Sequence, residues 1–152
     1  MLADNYLTNQ AFSQNNVKDA AAQGAVEFEK ALLRGWINRL WAKLTGRSPT
    51  LKKLPKRSGS RHYRGLQTVE VNRILGTEDR DGDFDADFNP LHLESRDRWA
   101  GVFNALRRGI PLPPVELTLV GDVYYVRDGH HRISAARVLG REEIEAIVTE
   151  WN

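Results

Sequence analysis

Two adjacent imidazoles, a guanidinium and a carboxylate fall within five residues of this chain, Asp128-Gly129-His130-His131-Arg132. A strand-like run, Val123–Val126, precedes them, and a helix-like run, Ile133–Leu139, follows. A strand that turns through Gly into a helix presents free backbone N–H groups at the positive end of the helix dipole, which is an anion site. Arg132 suits bidentate phosphate contact. Gly129 allows close backbone approach to a phosphate. His130 and His131 are adjacent, so they are expected to point different ways, one to phosphate or base and the other into the structure. Asp128 can hold a metal or accept a proton. The run reads as a phosphate-binding turn with nucleotide as the expected ligand. The bland alternative is that Gly merely punctuates a strand–helix junction beside a solvated His pair. Neighbouring His residues make a poor pair for one zinc ion, and His62 and His92 are remote in sequence, so no metal site is expected here.

Elements on either side must position this turn. Gln67–Val71 reads as a strand. Ser95–Arg108 reads as a helix with Ser95 as N-cap, Trp99, Val102, Phe103 and Leu106 on one face, and Gly109 past its end. Three prolines, Pro111, Pro113 and Pro114, stiffen the approach to a strand Val115–Val120. Gly121-Asp122 is a two-residue hairpin turn, and Ile144–Thr149 is a last strand. Thr77–Pro90 reads as an acidic loop with Phe84 and Phe88 as anchors. Its alternating carboxylates miss the EF-hand spacing. They can be solvated, can share Mg2+ with nucleotide phosphates, or can fold back on basic residues.

The first third of the chain differs in character. Residues 1–16 read as a polar tail with little structure, and 17–46 as an amphipathic helix in which Phe28, Leu32, Trp36, Leu40 and Leu44 recur every four residues. Residues 47–64 read as an extended basic linker, and 65–152 as the compact domain. The net charge is only +2. Residues 1–29 carry a net −3, 30–69 carry eleven basic and no acidic side chains, and 70–152 carry a net −6. The positive balance thus sits in one central segment. The chain has no cysteine, which excludes disulfides and thiolate chemistry. No apolar run reaches the length of a membrane span, and Met1–Gln10 lacks a secretory pattern, so a cytoplasmic protein without membrane contact is expected.

From about Leu66 to Trp151, the order and spacing of these motifs resemble the ParB/sulfiredoxin superfamily. The resemblance implies a fold of class α/β (α+β): a small ParB/sulfiredoxin-like mixed-sheet domain, here preceded by an amphipathic helix. It implies nucleotide binding through Gly129, His130, His131 and Arg132. Within the superfamily, sulfiredoxins carry Cys where this chain has His130, so that repair chemistry lacks its nucleophile. ParB proteins carry Gly-Glu-Arg-Arg where this chain has Gly129-His130-His131-Arg132. Free serine kinases resemble the Asp-Gly-His-His-Arg turn most closely. That likeness implies an ATP/ADP-dependent phosphotransferase acting on a small hydroxyl substrate, with Mg2+ accompanying the nucleotide and Asp128 and Glu78 as catalytic carboxylates.

Two further expectations concern partners. A DNA-associated adaptor would use Lys52, Lys53, Lys56, Arg57, Arg61 and Arg64 on phosphates, with binding that weakens steeply in salt. The apolar stripe of the N-terminal helix would be covered by its own domain or by a second copy, and a homodimer is the favoured of the two.

Overall fold

The computed structural model describes residues 2–56 and 58–152, with side chains from Asn16 onward. Helix α1 spans Leu2–Thr45, β1 Lys52–Lys53, β2 Arg61–Glu70, β3 Ile74–Thr77, α2 Arg96–Arg107, β4 Val115–Val120, β5 Val123–Asp128, α3 His130–Val138 and β6 Glu143–Trp151. The six strands form one mixed sheet in the order β1-β3-β5-β4-β6-β2. β3 runs parallel to β1 and β5, and β4 parallel to β6, while the β4–β5 and β2–β6 pairs are antiparallel. This is the expected α/β (α+β) class with a helix preceding the sheet. Among the described residues no helix is long and apolar enough to cross a membrane.

The β4–β5 hairpin turns at Gly121, whose φ is +60°. Its even-numbered Tyr124 and Val126 enter the core with Val115 and Leu117 of β4. That core is closed by Ile133 of α3 and by Phe84 and Phe88. A second core joins Phe28, Ala31 and Leu32 of α1 to Trp99 and Phe103 of α2 and Ala135 of α3. Helix α3 therefore lies between the sheet and α2. Trp99 donates its indole N–H to Ser134 Oγ at 2.7 Å, which fixes the two helices in register. At the start of α2, Ser95 does not cap through its side chain, because its hydroxyl donates to the carbonyl of His92.

Three expectations need correction. Residues 1–16 are not an unstructured tail, since α1 begins at Leu2. Once nucleated, a helix propagates through Ala, Leu and Gln without needing an apolar stripe. The linker 47–64 contains β1 and the start of β2. β1 and β2 occupy opposite edges of the sheet. The stripe Phe28–Leu44 is not one face: Phe28 and Leu32 are buried, whereas Trp36, Leu40 and Leu44 are exposed.

The face of α1 that docks carries small residues instead. Gly24, Ala31, Gly35 and Ala42 are all buried. A Cβ on Gly24 would lie 2.7 Å from Asn104 Nδ2 and 2.8 Å from the carbonyl oxygen of Ala100. Helix backbones meet closely there, and one of the atoms in the way is main chain. Gly24→Leu is expected to lower stability by roughly 2 kcal/mol in urea titration, because overpacking outweighs the gain in helix propensity.

Candidate phosphate-binding site

The turn after β5 lies where sequence places it. Gly129 has φ +103° and caps α3, and the first helical bond runs from the Ile133 N–H to the Gly129 carbonyl. The N–H groups of His130, His131 and Arg132 therefore precede the helical ladder, and no side chain caps them. Gly129 is required for packing as well: a Cβ there would stand 2.6 Å from Val115 Cγ1.

His130 is buried at 4 % exposure. Its Nε2 lies 2.8 Å from the hydroxyl of Thr77 at the end of β3. That hydroxyl oxygen accepts the backbone N–H groups of Asp79 and Arg80. With both lone pairs engaged, the Thr77 proton must go to Nε2, so His130 is neutral and carries its own proton on Nδ1. The ring stacks on Phe84 at 5.8 Å. Burial, with Arg80 nearby, lowers its pKa to about 4. His130 is thus the structural member of the pair.

His131 faces the solvent side of Phe84, edge-on at 5.4 Å, and its Nδ1 is buried without a partner among the described residues. Burial, then the guanidiniums of Arg98 and Arg80, lower its pKa to about 4. Those two arginines were missed by sequence reasoning. They stand with His131 between two adjoining cavities. One, of about 340 Å³, covers the turn from Asp128 to Arg132 and the α2 residue Val102. The other, of about 440 Å³, is lined by Asp83, Phe84, His92, Glu94 and Ser95. Arg80 has Asp83 at 3.7 Å, and Arg98 has no ion-pair partner among the described residues. The signal for Arg98 was available, because it falls one helical turn before Val102, on the side of α2 that flanks the turn.

Arg132 is placed differently from expectation. Its Nη1 donates to the carbonyls of Pro113 and Pro114, and its Nη2 donates to Asp128 Oδ2 at 2.7 Å. Its guanidinium fastens the proline segment to the turn, so it is a clamp before it is a ligand. Asp128 itself is mostly exposed.

Glu78 is not brought to the turn. Thr77 points toward α3, and the next residue of an extended chain points to the opposite face. There Glu78 accepts a hydrogen bond from Thr118 of β4, two strands away. The two carboxylates expected to be catalytic, Asp128 and Glu78, are therefore not brought together. Among the described residues no three acidic or histidine side chains converge on a metal position. Asp128 is the one carboxylate against the turn cavity and Arg132 already engages it, so these residues do not fit a protein-held Mg2+.

One carboxylate of the acidic loop is buried while its neighbours stay solvated. Asp85 is 1 % exposed, and its carboxylate accepts the N–H groups of Asp87 and Asn89 and the amides of Asn89 and Asn38. Phe84 and Phe88 anchor the loop as expected, each 1 % exposed. One ion pair joins the loop to the basic segment among the described residues, Lys53–Asp81 at 3.4 Å.

The candidate DNA contacts are divided between the two edge strands. Lys52 and Lys53 lie on one sheet edge, and Arg61 and Arg64 on the other. Lys56 is exposed between them in the chain, and Arg57 lies outside the described residues. Arg64 is paired with Glu150, and the Arg61 guanidinium lies 4.4 Å from the Trp151 ring centre.

No protein-family model matches the chain, and comparison with curated proteins and with solved structures returns no match either, so the ParB/sulfiredoxin resemblance rests on the order and spacing of the motifs alone.

Proposed function

We propose that this chain binds the phosphate groups of a nucleotide over the N-terminus of α3, as a binding module and not as a phosphotransferase. The observation that carries the reading is the uncapped first turn of α3 opening on a cavity shared with Arg80 and Arg98. Three guanidiniums and one carboxylate line that cavity, and Arg98 has no ion-pair partner among the described residues. Such a surplus of positive charge beside free N–H donors favours a multiply charged anion. The adjoining cavity, with His92, Glu94 and Ser95 on its wall, offers hydrogen-bonding groups of both kinds to a sugar or base. Turnover would need a base near the acceptor. Among the described residues Asp128 is the one carboxylate lining that cavity, and it is held by Arg132.

Isothermal titration with ATP, ADP, CTP and GTP tests the proposal. Arg98→Ala is expected to weaken binding by roughly tenfold to a hundredfold, the worth of one charge-assisted contact, with an unchanged circular dichroism spectrum. Arg132→Ala is expected to lower the melting temperature as well, because it releases the proline segment. Absence of binding at millimolar nucleotide would overturn the reading. Phosphate transfer from ATP or ADP to a small alcohol would restore the enzymatic one.

A further inference from the structure

Helix α1 presents two apolar faces, and only one is used within the chain. Phe28, Ala31, Leu32 and Ala42 are buried against α2 and the loop before it. Val26, Leu33, Ile37, Leu40 and Leu44 are between 44 % and 79 % exposed. The exposed set has its own spacing. Leu33 follows Val26 by seven residues and Leu40 follows Leu33 by seven, and Ile37 and Leu44 repeat the interval between them. Steps alternating four and three make the seam of a two-stranded coiled coil. With about 100° per residue, this seam is centred opposite the buried face, so pairing along it leaves the chain's own domain undisturbed.

The residues flanking the seam say what covers it. In a parallel, in-register pair, a residue just before one seam position meets the residue five further on in the other helix. Glu29 then meets the partner's Arg34, and Trp36 meets the partner's Trp41, each contact occurring twice. An antiparallel pair centred on the same seam would oppose Arg34 to the partner's Arg34. Lys30 is the single charged residue within the seam, the kind of interruption that fixes register and limits the assembly to two strands. Glu29 also meets Arg96 of its own chain at 3.1 Å on open surface, which leaves its second oxygen free.

We infer that a second copy of this chain occupies the exposed face of α1, forming a parallel two-stranded coiled coil over residues 26–44. This seam shares Leu40 and Leu44 with the stripe read in the sequence but takes Val26, Leu33 and Ile37 in place of Phe28 and Leu32, and it holds whatever binds at α3. The pairing sets the two sheet domains on opposite flanks of the coil and aligns the two N-terminal segments side by side.

Sedimentation equilibrium on the full chain tests the inference. A dimer is expected, and Leu33→Glu with Leu40→Glu should yield a folded monomer of unchanged helicity, since neither side chain is buried in the single chain. Glu29→Arg and Arg34→Glu, made singly, should each weaken the dimer by roughly fivefold to tenfold, and together they should restore it. A full-length monomer at high micromolar concentration, or a dimer that survives the paired leucine substitution, overturns the interface. Failure of the double charge reversal to recover affinity overturns the parallel register.

Discussion

Acidification from about pH 6.5 to about pH 4 should cost this protein most of its stability, and His130 and His131 are the reason. Both imidazoles titrate near 6.5 in an unfolded chain, and burial lowers both to about 4 in the fold. Above pH 6.5 both states hold them neutral, and they exert no pH effect. As pH falls through that value the unfolded chain takes up protons that the native state refuses, so the balance shifts toward unfolding. The shift is complete near pH 4, where the native imidazoles also charge. Each histidine then contributes a loss of about 3 kcal/mol, so the pair reaches roughly 6 kcal/mol, comparable to the whole stability of an ordinary domain. Urea titrations at pH 7, 5 and 4 measure it. His130→Gln keeps an acceptor for the Thr77 hydroxyl and should remove about half of the pH dependence. An NMR titration with both imidazole midpoints near 6.5 would contradict the account.

Asp85→Ala is expected to destabilise the chain by roughly 3–5 kcal/mol, since it leaves buried donors without an acceptor. Two backbone N–H groups and the amide of Asn89 lose this acceptor, and the amide of Asn38 keeps only Asp87. The damage would spread beyond the loop. Asp85 bridges α1 to the segment holding Phe84 and Phe88, and Phe84 is the ring on which His130 stacks. Phe88 also keeps a left-handed backbone, φ +64°, within this bond network. Asp85→Asn retains one acceptor oxygen and should cost less. Equal denaturation midpoints for the alanine variant and the native chain would show that the network carries no net stability.

The turn at Asp128–Arg132, the hairpin at Gly121 and the Trp99 face of α2 were legible in the sequence because each depends on neighbours in the chain. Other features depend on partners far away. β3 is not legible as a strand, since four residues containing Gly76 show little alternation and its partners β1 and β5 are distant. Recognising β3 would have placed Thr77 and Glu78 on opposite faces and removed Glu78 from the site. The docking face of α1 escaped notice because Gly and Ala do not read as an apolar stripe, although they allow helices to approach closely. Asp85 resembled its solvated neighbours, and nothing local distinguishes the carboxylate that becomes buried. Arg80 and Arg98 reach the turn only through the loop and α2, which fold over it from earlier in the chain.

The pairing of β2 governs the order in which the molecule can be made. Each residue of β2 that pairs does so with β6, so Glu70 waits for Glu143 and Arg61 waits for Trp151. During synthesis β2 leaves the ribosome with both edges bare and stays so until the last strand emerges. The outer edge of the sheet cannot close piecemeal, and long-range pairing of this kind folds slowly. Chains arrested before β6 should be protease-sensitive in Arg61–Glu70 and prone to strand-mediated aggregation, which makes them natural clients for chaperones.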